Sequence, residues 1–231
     1  MQILSMDSGQ WVASAGADGA GKLQRGTGVA FDRSGHLFVS DAGLDKIVVY
    51  DCGGGLVGSI GARNACGVAL RPEGHIVVGD AGNQVVRVLW ESGQVLWLFG
   101  GYGRRGDELS GIEDMAVGND GSMCVVDFGL CRVEVCDDAG GAITACGVPA
   151  GGKQMGPDKT LIGPLGMAVD GEGSIYVVSG GREGVEVLSR DGAHVQAIAG
   201  CVLGDRQVQC IAVEWQGCMF VGGEGAVQML G

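Results

Sequence analysis

Apolar and polar positions alternate along this chain in a unit that repeats. In Gly28 to Gly61 a short apolar run, GVAFD, is followed by the turn Arg33-Ser34-Gly35, a second run HLFVSD, the loop Ala42 to Asp45, a third run KIVVYD, a Gly-rich turn and a last run GLVGSIG. Runs of this length, bounded by Gly, Asp and Ser, predict four β-strands. The next copy begins 39 residues later at Gly67, and further copies begin near Asp114, at Gly166 and at Cys210. A period of roughly 40 residues with four strands is that of propeller blades. The inner runs LFVS, IVVY, IVVG and CVVD are apolar at nearly every position, as expected of strands covered on both faces. No helix is expected anywhere.

The pattern GVAxD-xxG-xxxVxD-xGxxxIxVxD-xxGxxxxxxG resembles the NHL repeat, found in six-bladed propellers of TRIM-type ubiquitin ligases, in translational repressors and in a secreted amidating lyase. The resemblance spans essentially the whole chain and is strongest in its first two copies. It weakens later, where the Asp closing the second strand (Asp41, Asp80, Asp127) becomes Ser179 and Gly222. It implies an all-β NHL-type propeller over residues 1–231 as a single domain. The strand tally gives five blades; the family norm leaves six open. Residues 1–27 begin out of phase, MQIL reading as a third strand and WVASAG as a fourth. WVASAG is the natural donor for the last copy, so that the two chain ends share a blade and close the ring. The stretch Gly147 to Pro164 holds three of the four prolines and reads as a long loop.

Composition agrees. The 47 glycines carry no collagen period and alternate with Val-rich runs, so they are turn and close-packing glycines. Nine cysteines, an odd number without CxxC pairs and mostly inside strands, point to a reducing, cytoplasmic setting. The start MQILSMDSGQ has no leader pattern, and no apolar stretch is long enough to span a bilayer.

Charge separates by end. Loops joining second to third strands, and connectors between blades, emerge at one end of a four-stranded antiparallel blade; the turns joining first to second and third to fourth strands emerge at the other. The connector end balances eleven Lys and Arg against eleven acids, whereas the turn end carries three Arg against twelve acids. The recurring Asp41, Asp80 and Asp127 are expected to bond loop amides, leaving the exposed connector end more cationic. Its densest feature is GGYGRRGDELS: Tyr102 offers an aromatic platform, and Arg104 and Arg105 two planar donors suited to carboxylate or phosphate. Lys153 and Lys159 form a second candidate, with Arg25, Arg63 and Arg206 on the same end.

Catalytic constellations are not found. His36 and His75 recur at one repeat position, and His194 lies apart, so no metal set converges and no cofactor is expected. The resemblance implies a protein-recognition module, the substrate-binding part of a TRIM-type ubiquitin ligase whose RING, B-box and coiled coil would lie upstream. Its partner would be a protein substrate or adaptor, the domain itself a monomer and no enzyme, with oligomers formed through the coiled coil. The alternative is RNA binding through the same end, against which the net charge of -12 counts.

Overall fold

A computed structural model describes residues 1–4, 10–105, 107–147, 161, 163–180, 184–199, 208–214, 218–223 and 226–230. It is an all-β, five-bladed propeller. The first blade is β3 (Gly26–Phe31), β4 (Leu37–Asp41), β5 (Lys46–Tyr50) and β6 (Leu56–Gly61), in that order and antiparallel throughout. The second is β7 (Ala65–Leu70), β8 (Ile76–Asp80), β9 (Val85–Leu89) and β10 (Val95–Gly100). The third is β11 (Ile112–Val117), β12 (Met123–Asp127), β13 (Arg132–Cys136) and β14 (Ala142–Cys146). The fourth is β15 (Pro164–Val169), β16 (Ile175–Ser179), β17 (Gly184–Leu188) and β18 (His194–Ala199). The fifth has three described strands, β19 (Val208–Val213), β20 (Met219–Gly223) and β21 (Ala226–Leu230). Helix among the described residues is limited to one 3-10 turn at Gly19–Gly21.

Blade-to-blade packing explains the apolar inner runs. The first strands β3, β7, β11, β15 and β19 stand side by side in chain order. Between neighbouring blades lie separate apolar layers, such as Ile47, Ile76, Val78 and Leu89 between the first two, and Val126, Val133, Ile175 and Val177 between the third and fourth. Every residue of β4, β8, β12 and β13 is buried. Each fully buried Val, Ile or Leu contributes roughly 1.5–3 kcal/mol by leaving water.

The expected closing of the ring differs in one respect. The strand expected to complete the last blade, β2 (Trp11–Ser14), pairs with β1 (Gln2–Leu4) as a fourth strand does with a third, but the two form a sheet of their own, and among the described residues β21 pairs only with β20. Ala15 and Ile3 from this ribbon join Leu37, Val39, Val48 and Tyr50 of the first blade. The reason is local: two strands a few residues apart pair at far smaller loop-closure cost than one strand paired across the ring.

The recurring carboxylates act as expected. Asp41 accepts from the backbone N–H of Gln24 (2.7 Å), Arg25 (3.0 Å), Gly43 (2.9 Å) and Leu44 (3.1 Å). Asp80 accepts from Asn83, and Asp127 from Ser110 and Leu130. Asp41 and Asp127 thereby tie a connector to a second-to-third-strand loop, while Asp80 braces its own loop, and so they build the connector end. Burial pushes Asp41 up, but the four donated N–H bonds outweigh it and hold its carboxyl below the usual range.

Candidate functional site

The connector end opens into the middle of the ring through a cavity of about 460 Å³. Its wall takes residues from all five blades, among them Arg25, Asn64, Cys66, Glu113, Asp114 and Cys210. The width of this opening is set by glycines. A Cβ on Gly28 would stand 2.8 Å from the Cα of Gly67, and one on Gly166 would stand 2.7 Å from the Gln209 carbonyl. Gly67, at φ +55°, would meet the Met115 N at 2.9 Å. Adjacent first strands therefore touch main chain to main chain, an approach only glycine permits.

In the third blade this glycine position is Asp114. Its Oδ2 accepts the N–H of Met167 in the fourth blade at 2.9 Å, and its Oδ1 accepts the N–H of Met115 at 2.8 Å. One carboxylate thus joins two blades at the channel wall. Desolvation at the half-buried channel wall pushes Asp114 up to about 7, against the two N–H donors and with the Glu113 charge adding to the rise. Glu113 is raised too, by burial, with Arg25 opposing. Arg25 is positioned across the mouth by Asn64, whose Oδ1 takes its Nη2 at 2.7 Å. The Asn64 N–H is in turn held by Asp45 Oδ1 at 2.6 Å. Burial pushes the Cys66 thiol up to about 12, so it stays protonated and a poor nucleophile. The mouth is a polar aperture lined by one oriented guanidinium and by two carboxyls whose pKa values are raised.

Of the residues singled out from sequence, Arg25 lines this opening. Arg63 is exposed beside it and lays its side chain over Gly82. Tyr102, Arg104 and Arg105 sit farther out, between the second and third blades. Tyr102 is 80% exposed and Leu109, bridged to it, is buried. Glu108 Oε2 accepts the N–H of Arg104 (2.8 Å) and Arg105 (2.9 Å), and Arg132 Nη2 donates to the Glu108 carbonyl at 2.7 Å. These bonds leave both arginine side chains exposed on a pinned turn. Lys153, Lys159 and Arg206 lie outside the described residues.

Sequence reasoning missed Asn64, Glu113 and Asp114. The signal for Asp114 was present: GVAF, GVAL and GMAV become DMAV, an acid where the repeat holds glycine. Each histidine has its own local partner. His36 Nδ1 lies 2.8 Å from Asp32, His194 Nε2 2.8 Å from Glu186, and His75 stacks edge-on against Trp90. Among the described residues no three His, Cys, Asp or Glu side chains are placed to hold a metal ion. Nor is any helix of the described chain long and apolar enough to cross a membrane.

Blades, a central opening and a loop-built rim define the β-propeller class. No protein-family model and no curated protein sequence matches the chain. Solved structures do. Catalytically inactive virginiamycin B lyase from Staphylococcus aureus, bound to quinupristin, superposes with a TM-score of 0.70 at 12% identity, covering 99% of this chain and 72% of that one. The gluconolactonase XC5397 from Xanthomonas campestris gives 0.68 at 20% identity, over 90% and 73%. The WD40 propeller domain of Doa1 gives 0.64 at 15% identity, over 87% and 61%. At these identities the likeness is one of fold, and the fold hosts lyase, gluconolactonase and WD40 proteins alike.

Proposed function

We propose that this propeller is a recognition module whose connector end receives an acidic segment of a partner protein. One observation carries the reading: the structural acids of that end are turned inward onto backbone N–H groups, while Arg25, Lys46, Arg63, Arg104 and Arg105 remain exposed around the opening. With those three acids engaged, the exposed balance of a face that is neutral by count tips toward its cations, beside a bare tyrosine, while Asp18, Asp45 and Asp107 stay exposed there. Arginine forks and an aromatic ring suit carboxylate-bearing polypeptide, and the polar mouth gives one side chain of that segment a place to enter. A role as the substrate-binding part of a TRIM-type ubiquitin ligase is supported by the repeat resemblance.

The same exposed arginines and Tyr102 favour single-stranded RNA as a second reading, through stacking and phosphate pairing. Fluorescence anisotropy with a labelled acidic peptide and a labelled single-stranded RNA, at physiological salt, separates the two. The expected result is peptide binding that weakens about tenfold in Arg104→Glu, Arg105→Glu, a loss of roughly 1.4 kcal/mol. RNA binding with the same sensitivity, and none of the peptide, transfers the assignment to RNA. Silence from both probes at micromolar protein removes both.

A further inference from the structure

At the turn end, opposite the proposed recognition face, the second blade departs from its siblings. In the first blade Asp32 holds the N–H groups of Ser34 (2.8 Å) and His36 (2.7 Å), and Asp51 holds those of Gly53 (2.9 Å) and Gly55 (2.8 Å). Asp137 does the same for Ala139 and Gly141 in the third blade, and Asp170 for Glu172 and Ser174 in the fourth. Those carboxylates close the turns. In the second blade both positions have changed: Arg71 stands where Asp32 does, and Trp90 where Asp51 does.

Arg71 has a structural use. Its Nη1 donates to the Asp138 carbonyl of the next blade at 2.9 Å, and its Nε lies 3.5 Å from Glu73. The Trp90 backbone closes its turn, the N–H donating to the Gln94 carbonyl at 2.9 Å, but the side chain takes no part. It is 48% exposed, with His75 edge-on at a centroid distance of 4.7 Å and an interplanar angle of 84°. A cavity of about 540 Å³ lies beside it, walled also by Glu73, His75, Glu91 and Gln94. The Glu91 carboxylate leans into this space, 3.6 Å from where a Cβ on Gly74 would stand, and has no ion pair among the described residues. Packing alone would favour burying an indole at this position, yet half of it stays in water next to carboxylates.

An electron-rich indole face flanked by carboxylates attracts a cation, and the surplus of acids on this end adds a long-range field of the same sense. We propose that the Trp90 cavity binds an arginine side chain of a partner polypeptide, its guanidinium laid on the indole and paired with Glu91. Arginine fits better than lysine because a planar, weakly hydrated cation can stack and pair at once. This would be a second contact surface, on the end facing away from the connector rim.

The test uses ¹⁵N-labelled protein and two probes, acetyl-Gly-Arg-Gly-amide and its neutral citrulline counterpart. Among the four tryptophans the Trp90 indole N–H resonance is identified by its loss in Trp90→Phe. The arginine peptide is expected to shift that resonance saturably in the millimolar range, the citrulline peptide at least about threefold more weakly. Glu91→Gln, an exposed change that leaves the fold intact, should weaken arginine binding about threefold, and raised salt should weaken it further. Equal responses to both peptides, equal shifts at all indoles, or no shift at millimolar peptide would each overturn the proposal. Should Trp90→Phe perturb the fold, the Glu91→Gln titration decides the matter alone.

Discussion

The third and fifth blades are built from similar strands and live in different surroundings. In the third, all ten residues of β12 and β13 are buried, and Cys124 and Val126 pack toward the fourth blade as firmly as Met123 and Val125 pack toward the second. In the fifth, Met219 and Val221 are buried against the fourth blade, while Val227 is 75% and Met229 64% exposed, and β21 has no strand along its outer edge among the described residues. The difference does not come from composition, since VEVC and VQML are about equally apolar. It comes from neighbours: a blade earns two-sided burial only where another stands on each side, as repeat arrays require.

Substitutions can break that contrast, and the largest effect is expected at Arg132. Its Nη2 lies 2.5 Å from Glu134 Oε2 and its Nε 3.9 Å from Asp127 Oδ2, all three side chains being buried. Arg132→Ala leaves two carboxyls without their cation and should cost about 3–5 kcal/mol in urea unfolding. Little loss would show that the third blade tolerates change as the fifth does. Next comes Met123→Ala, which empties a fully buried site and should cost roughly 2–5 kcal/mol. Its counterpart Met229→Ala, in the fifth blade, should lie within about 0.5 kcal/mol of the parent. Equal costs for the two would erase the distinction.

A smaller effect is expected from pH. Burial pushes Glu134 up to about 7 from 4.5, with Arg132 pulling it down and Asp127 and Asp107 pushing it up. The folded state therefore holds a proton that the unfolded chain releases, so this group's contribution is fully present below pH 4.5 and is lost as pH rises through about 7. Asp114, pushed up to about 7 from 3.8, acts in the same sense. The melting temperature should fall between pH 5 and 8, and Glu134→Gln should flatten that slope. An unchanged slope would place the proton elsewhere. Both groups belong to the third blade; in the fifth, the described group with a raised pKa is Cys210, shifted upward by burial first and the Asp114 charge second, away from this window.

Much of this was legible beforehand because the repeat writes it many times. Four strands per copy, the turn at Ser34-Gly35 and the Asp41, Asp80 and Asp127 ties all rest on contacts within one blade or to the adjoining connector. What escaped was whatever the ring alone brings together. Arg25, Asn64 and Asp114 are far apart in sequence and meet only because first strands circle a common axis. The β1–β2 pairing was legible, since MQIL and WVASAG read as a third and a fourth strand; what the pattern left open was that this pair stands apart from β19, β20 and β21 as a sheet of its own.

The glycine contacts of the inner strands bear on how such a molecule can change its preferences. Gly28, Gly67 and Gly166 fix the bore by backbone collision, so a substitution such as Gly67→Ala strains φ and forces two blades apart. Loop residues can then drift freely, altering what the rim grips, while the gauge of the hole stays constant like that of a washer.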